Sequence, residues 1–289
     1  MSKKRLLVLG SAAAEAVPAI FCDCDTCKYA WEHGGKDMRL RAAYMLGDQV
    51  RIDFGPDNVA QEHRYQLHSE NLKHLFITHS HEDHFVPDML DYRRKGMSRV
   101  AEDNILNFYG GAGTIRKLNR SFWDNIGFGG EYLKTYRLNV NKVEPGVPVE
   151  LPDQDMTFVP MLADHMTNFP AEIPLFYAVR WGDKRFMIAN DTGYFPELTW
   201  EILAKLNWKF DLVISDCTGC TFDIKHGHMS GKYVVEVKER MAQAGWIDSN
   251  TRYCINHFSH NGGSIQSKLE AHFNPLGIEV CYDGMEIYL

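Results

Sequence analysis

The 289 residues are 45% hydrophobic, 24% charged and 12% aromatic, the profile of an ordinary globular protein, and this excludes disorder over most of the length. A chain of this size can bury roughly three quarters of its unfolded surface, so its cysteines are not needed as crosslinks. Thirteen histidines and seven cysteines in a chain of net charge −7 point to metal chemistry and away from long nucleic acid, whose phosphates demand a basic face.

The first fourteen residues have the cations, apolar run and small residues of a signal peptide, but only Leu6 to Leu9 are strongly apolar and Glu15 breaks the pattern soon after. The stretch 5–10 reads instead as a first buried strand ending in a turn. Further strands are expected at 50–54, 74–78, 106–109, 156–160, 175–180, 185–189, 212–216, 253–255 and 279–282, with helices at 87–95, 114–125, 196–206, 230–244 and 263–274. No apolar run approaches the ~18 residues that cross a bilayer, and clustered cysteine suits the reducing cytoplasm, where it binds metal. No repeat or linker divides the sequence, so a single domain over 1–289 is expected. An insertion or lid is expected within 92–148, where Phe122, Trp123, Phe128 and Tyr132 either shape a pocket mouth or pack the core. Alternating strands and helices suggest an α/β sandwich of two sheets with helices outside, although a doubly wound sheet gives a similar pattern.

The strongest local signal is Thr78-His79-Ser80-His81-Glu82-Asp83-His84. An HxHxDH pattern is expected by chance roughly 0.002 times in a chain of this composition. A strand leaving a sheet points alternate side chains the same way, so His79 and His81 can share one ion, and the turn toward Pro87 brings Asp83 and His84 to a second. Imidazole with carboxylate suits Zn²⁺, Mn²⁺ or Fe²⁺. Cys22, Cys24 and Cys27 lie within six residues and can close three corners of a tetrahedral zinc site, with a redox or disulfide role as the alternative. Cys217 and Cys220 form a CxxC that could complete an all-thiolate site with them or could be buried apolar cysteine.

These residues resemble the metallo-β-lactamase superfamily. The upstream CxCxxC, with the later Asn256-His257-Phe258-Ser259-His260 and Asp283-Gly284-Met285-Glu286-Ile287, resembles the branch of carbon–phosphorus lyase accessory phosphodiesterases (PhnP) and the PQQ-biosynthesis B protein (PqqB). Matching segments run in order along nearly the whole chain and include Asp53-Phe54-Gly55, Asp164-His165, Asn190-Asp191-Thr192-Gly193, Ser215-Asp216-Cys217 and His228-Met229-Ser230. The resemblance implies an αββα four-layer sandwich with a dinuclear site on one edge. His79, His81 and His165 would hold one ion, Asp83, His84 and His257 the other, and Asp191 would bridge them. His260 would complete a structural zinc site with Cys22, Cys24 and Cys27.

Two divalent ions about 3.5–4 Å apart can share a water, lower its pKa and clamp an anionic substrate oxygen, which is what phosphodiester hydrolysis requires. His228, Asp191 and Asp83 are the expected catalytic set, with His228 as proton donor to the leaving oxygen or as phosphate-binding group; a plain surface histidine in a turn is its alternative. Asp53 and Thr78 would orient ligand histidines, although Asp53 could equally be a strand-end turn residue. The expectation is a metal-dependent hydrolase of a small, anionic phosphodiester, cyclic ones included, with two divalent metals (Zn, Mn or Fe) and one structural zinc, no membrane or long nucleic-acid partner, and room for a homodimer. The rivals are a lactone or thioester hydrolase and a PqqB-like non-hydrolytic metal-binding accessory protein. A tRNA-processing nuclease, which wants a basic exosite, is disfavoured by the charge of −7.

Overall fold

The computed structural model describes residues 4–126, 132–169 and 171–289, with the side chains of 123–126 and 132–133 outside that description. Two seven-stranded sheets form the centre. The strands are β1 (Arg5–Gly10), β2 (Ala43–Leu46), β3 (Val50–Ile52), β4 (His74–Phe76), β5 (Leu106–Gly110), β6 (Leu138–Lys142), β7 (Val149–Leu151), β8 (Met156–Leu162), β9 (Leu175–Trp181), β10 (Lys184–Ala189), β11 (Leu212–Asp216), β12 (Arg252–Asn256), β13 (Glu279–Val280) and β14 (Glu286–Tyr288). The first sheet runs β14-β1-β2-β3-β4-β5-β6 and the second β13-β12-β11-β10-β9-β8-β7.

Side-chain alternation along the strands builds three apolar layers. In β1, Leu6 and Val8 face the other sheet while Leu7 and Leu9 face outward helices, and both pairs are buried, which is why the segment reads as a continuous apolar run. In β10, Phe186 and Ile188 lie between the sheets, and Met187 and Ala189 pack under the outer helices of the second sheet. Three apolar layers need four layers of backbone, so the helix–sheet–sheet–helix sandwich is borne out and the doubly wound alternative is not. The helices are α1 (Asp25–His33), α2 (Asn58–Tyr65), α3 (Ala112–Ile126), α4 (Tyr132–Tyr136), α5 (Glu197–Leu206), α6 (Gly231–Gln243) and α7 (Gln266–Phe273). The helix expected at 87–95 is a 3-10 helix, Pro87–Arg93.

The 92–148 segment, expected as an insertion or lid, supplies β5, which pairs with β4, and the edge strand β6. Phe122 is buried and stacks on Tyr136 with ring centroids 4.6 Å apart, so it packs the core; Trp123, Phe128 and Tyr132 lie outside the described side chains. Among the described residues, no helix is long and apolar enough to cross a membrane.

Strands β3, β4 and β5 are mutually parallel, as are β10, β11 and β12, so the loops after them gather on one edge, the position where open sheets place ligands. The two sheets are fastened beneath that edge by the buried Tyr44 hydroxyl, which accepts from Asn190 Nδ2 at 2.7 Å and Asn256 Nδ2 at 2.6 Å. Asp283 accepts from the Ser11 hydroxyl and the Leu40 N–H, both at 2.7 Å. Burial pushes its carboxyl up to about 6 against those hydrogen bonds and the charges of Arg39 and Arg64.

Both buried polar groups can be tested by substitution. Tyr44→Phe strands two amides away from water and should lower unfolding free energy in urea by about 2 kcal/mol or more. Asp283 has a folded pKa of about 6 against roughly 3.9 unfolded, so the folded state holds the proton more tightly; its contribution is complete below about pH 4 and is lost as pH rises through about 6. Asp283→Asn should therefore gain stability relative to the parent chain between pH 4 and 7, on the order of 2–3 kcal/mol. A difference that does not change with pH would contradict this.

Candidate metal centre

The loop after β4 carries His79, His81, Asp83 and His84. The loops after β8, β10 and β12 carry His165, Asp191 and His257. Asp191, His257 and Asp53 have φ of 52°, 64° and 66°, each just past the end of a strand. Left-handed backbone at residues other than glycine costs about 1–3 kcal/mol and persists where surroundings enforce it; here it turns each side chain sharply toward the shared edge. Gly55 abuts the same loop, and a Cβ there would lie 2.0 Å from the Asp83 carbonyl oxygen.

The structure brings the expected ligands together as two groups, His79–His81–His165 and Asp83–His84–Asp191–His257, each with its donor atoms within 4.8 Å of one another. In the first group, His81 Nδ1 lies 3.0 Å from His79 Nε2 and 3.1 Å from His165 Nε2. Those spacings are close to the ~3.3 Å edge of a tetrahedron with metal–nitrogen bonds of about 2.0 Å. In the second, His84 Nε2 lies 3.0 Å from both Asp83 Oδ2 and Asp191 Oδ2, and His257 Nε2 lies 3.1 Å from Asp191 Oδ2. The other oxygen of Asp191 faces the first group, 3.8 Å from His165 Nε2, so one carboxylate addresses both.

Four of the five histidines are oriented from behind, which assigns their protons. Thr78 donates its N–H and hydroxyl to Asp53, at 2.9 and 3.0 Å, and its oxygen accepts from His79 Nδ1 at 3.0 Å. His84 Nδ1 donates to Asp53 Oδ2 at 2.7 Å, and His165 Nδ1 donates to the Gly227 carbonyl at 2.7 Å. His257 Nδ1 lies 2.7 Å from Thr218 Oγ1. The Nε2 lone pairs of these rings therefore point into the edge. Asp53 and Thr78 thus lie within hydrogen-bond distance of His84 and His79 respectively.

The fit to divalent cations rests on orphaned atoms. His84 Nε2, Asp191 Oδ2 and His257 Nε2 are buried without a hydrogen-bond partner, a costly state unless a cation is shared among them. Electrostatics point the same way. Burial lowers His84, but the carboxylates of Asp191, Asp83 and Asp53 outweigh it and hold the ring well above the usual imidazole range. Burial, reinforced by the nearby His84, pulls His79 well below that range. Burial raises Asp191, and His257, His84 and His79 more than offset it, so its carboxylate stays ionised far below its usual pKa. The place between these groups demands positive charge, which divalent ions supply.

A second cluster lies nearby. Cys22, Cys24, Cys27 and His260 have their donor atoms within 4.8 Å of one another; His260 Nδ1 is 3.3 Å from Cys22 Sγ and 3.5 Å from Cys24 Sγ, close to the ~3.6 Å edge of a tetrahedral zinc with one nitrogen ligand. No disulfide joins these cysteines. Burial raises Cys24, yet His260 and the backbone N–H of Cys27 bring it down to about 6, whereas burial drives Cys27 up to about 12. Cys217 and Cys220 do not join them. They are 0% and 1% exposed inside the core beneath the second sheet, so apolar packing is their role.

His228 sits beside the first group, its ring centroid 4.7 Å from that of His165, and stacks on His257 at 5.4 Å. Burial lowers it, but Asp216 at 2.9 Å outweighs this and raises it to about 9. Asp216 has no role that sequence alone assigns. It is fully buried and accepts from the N–H groups of Asp191, Thr218 and Met229 at 2.9–3.1 Å and from the Thr218 hydroxyl at 3.1 Å. An acidic residue closing the apolar run of β11 is the one signal that could have marked it. His226, two residues before His228, is exposed and pairs with Asp164 at 2.8 Å.

Comparison with known proteins agrees with this architecture. An octanoyltransferase of Porphyromonas gingivalis is 27% identical over 291 residues, covering 98% of this chain and 51% of its own length; the chain thus spans about half of that relative. A ribonuclease Z of Listeria monocytogenes is 32% identical over 121 residues, 40% of this chain and 37% of its own. The crystal structure of a diphosphatase from the PhnP family superposes with a TM-score of 0.73 at 21% identity, covering 99% of this chain and 97% of that one, and shares the fold. The family described as "Beta-lactamase superfamily domain" matches residues 49–247, and with its ligand-type loops on one edge of two sheets the chain belongs to that superfamily.

Proposed function

We propose that the chain is a metal-dependent hydrolase of small phosphodiesters. The observation that carries this reading is the position of Asp191, with one oxygen toward the three-histidine group and the other toward the Asp83–His84–His257 group, beside a protonatable His228. His79, His81 and His165 would hold one ion, Asp83, His84 and His257 the other, and Asp191 both. When bound, such a pair activates water and neutralises charge developing on phosphate oxygens.

The chain's own groups do the rest. Asp53, Thr78, Thr218 and the Gly227 carbonyl fix the ligand rings so that little reorganisation accompanies reaction. Asp216 keeps His228 protonated at neutral pH, placing an acid at the mouth of the centre to protonate the leaving oxygen or hold a phosphate oxygen. The name of the PhnP-family diphosphatase supports a phosphate substrate. With a net charge of −7, cationic character would be concentrated at the centre once it holds divalent ions, which favours a small anion over an extended polyanion. Cys22, Cys24, Cys27 and His260 would hold a structural zinc.

A second reading, hydrolysis of an acyl ester or thioester, draws on the octanoyltransferase relative that spans 98% of the chain. The two separate in one assay series: protein loaded with Mn²⁺ or Zn²⁺ should turn over bis-p-nitrophenyl phosphate or 2′,3′-cyclic nucleotides. Turnover of octanoyl thioesters alone would overturn the phosphodiester reading, and a chain retaining only the cysteine-bound zinc would support a non-hydrolytic accessory role.

His228→Asn should lower kcat by about 10²–10⁴. In the parent chain kcat/KM should fall as pH rises through a pKa at or below about 9, because the donor is lost on deprotonation and bound divalent charge can only lower that pKa. The variant should lack this alkaline limb. For the cysteine site, Cys24→Ser should remove one zinc per chain by elemental analysis and lower thermal stability while leaving metal uptake at the Asp191 centre intact; unchanged zinc stoichiometry would refute the assignment.

A further inference from the structure

We propose that Glu172 and Lys117 are positioning residues that lock the backbone around His81 and thereby fix the three-histidine ion site. The inference rests on the dinuclear reading above and starts from an asymmetry within it. His79, His84, His165 and His257 are each oriented by Thr78, Asp53, the Gly227 carbonyl and Thr218 respectively. Among the described residues, His81 has no such partner. Its ring meets only His79 and His165, so its direction must be set through its main chain.

That main chain is held from two distant segments. Every polar group of Ser80, the residue between His79 and His81, is taken. Its N–H donates to Glu172 Oε1 at 2.8 Å, its hydroxyl donates to Glu172 Oε2, and its carbonyl accepts from Lys117 Nζ at 2.8 Å. Lys117 donates again to the Phe85 carbonyl at 2.6 Å. Between these points the turn closes on itself, the His81 carbonyl accepting from Phe85 N at 2.9 Å and His84 N at 3.3 Å. The turn is therefore a compact unit fastened at both ends, and Lys117 spans it.

Both clamps are built in. Glu172 is 9% exposed and belongs to the loop that carries His165, so its hydrogen bonds to Ser80 tie the two loops supplying the first ion. Gly113, in the first turn of α3, makes room for it, since a Cβ there would lie 2.5 Å from the Glu172 carboxyl carbon. Lys117 lies one turn further along α3 and packs 5.9 Å above the Phe85 ring. A carboxylate accepting two hydrogen bonds and an ammonium giving two to carbonyls are charge-assisted contacts, stronger and more directional than neutral ones. Asp83 and His84 depend less on this clamp, because Asp53 orients His84 directly and Gly55 packs against Asp83.

The test is titration of the chelator-stripped full chain with Co²⁺ alone, followed by the visible absorption of the bound ion, metal content by elemental analysis, and thermal melting. Glu172→Ala and Lys117→Met should each weaken one Co²⁺ site about 10–100-fold, the range typical for loss of a residue supporting a ligand, and alter its absorption, while the second active-site ion and the cysteine-bound ion keep their affinities. Glu172→Gln, which preserves shape and can still accept from Ser80 N–H, should recover most of the affinity. Unchanged Co²⁺ affinity in the alanine and methionine variants overturns the proposal, as does equal weakening of every site, which marks general destabilisation. Should the parent chain bind only the cysteine-site ion, the dinuclear reading itself fails and the proposal with it, an outcome distinct from the other two.

Discussion

A carboxylate with 3% exposure cannot remain ionised in a protein interior unless positive charge faces it, and Asp191 imposes that condition on everything around it. The imidazoles of His84 and His257 approach one oxygen and His165 the other. These residues come from four loops at the carboxyl ends of strands in both sheets, and strands of shared direction are what deliver those loops to one edge. The strained backbone at Asp53, Asp191 and His257 arises from the same demand, since an ordinary extended residue there would carry its side chain past the edge.

The surrounding hydrogen bonds form nested supports. Asp53 serves His84 and, through Thr78, His79. Asp216 serves His228 directly and His257 through Thr218. Two buried carboxylates, one at the end of each sheet's central strands, thus organise opposite sides of the centre, and neither belongs to the three-histidine group or to the Asp83–His84–Asp191–His257 group. The 256–260 segment connects this network to the cysteine cluster, with His257 in one group and His260 in the other. Bonds between Phe258 and the 11–13 segment seat it against the first strand's exit: Phe258 N to Ser11 O at 2.9 Å and Ala13 N to Phe258 O at 3.0 Å.

Sequence was most informative where one physical signal dominated. Strand β11 is an apolar run ending in an acidic residue, and its limits, Leu212–Asp216, are those expected. Strands β2, β7 and β14 are three or four residues each and carry no periodicity of their own, whereas the equally short β3 and β4 continue into the longer runs at 50–54 and 74–78. Helix α2 escaped because its buried residues, Asn58 and Gln61, are polar and face the buried Arg51 guanidinium at 2.6 and 2.5 Å, an interaction that leaves no apolar stripe. Helix α1 was masked by the cysteines that open it. The ligand groups were legible because close spacing and residue type identify them together. Asp216, Glu172 and Lys117 were not, since each is a single polar residue whose meaning arises only when separate segments meet.

The ligand-type residues of the edge begin at His79 in the first half of the chain and end at His257 in the second, and each of the two groups draws on both halves. An ion held there joins segments far apart in sequence, closing long loops much as a disulfide does. Neither half of the chain can assemble such a site by itself, and the site cannot exist before the two sheets have met face to face. Uptake of any ion there would therefore depend on the whole sandwich, and the ion would act as a staple across the molecule.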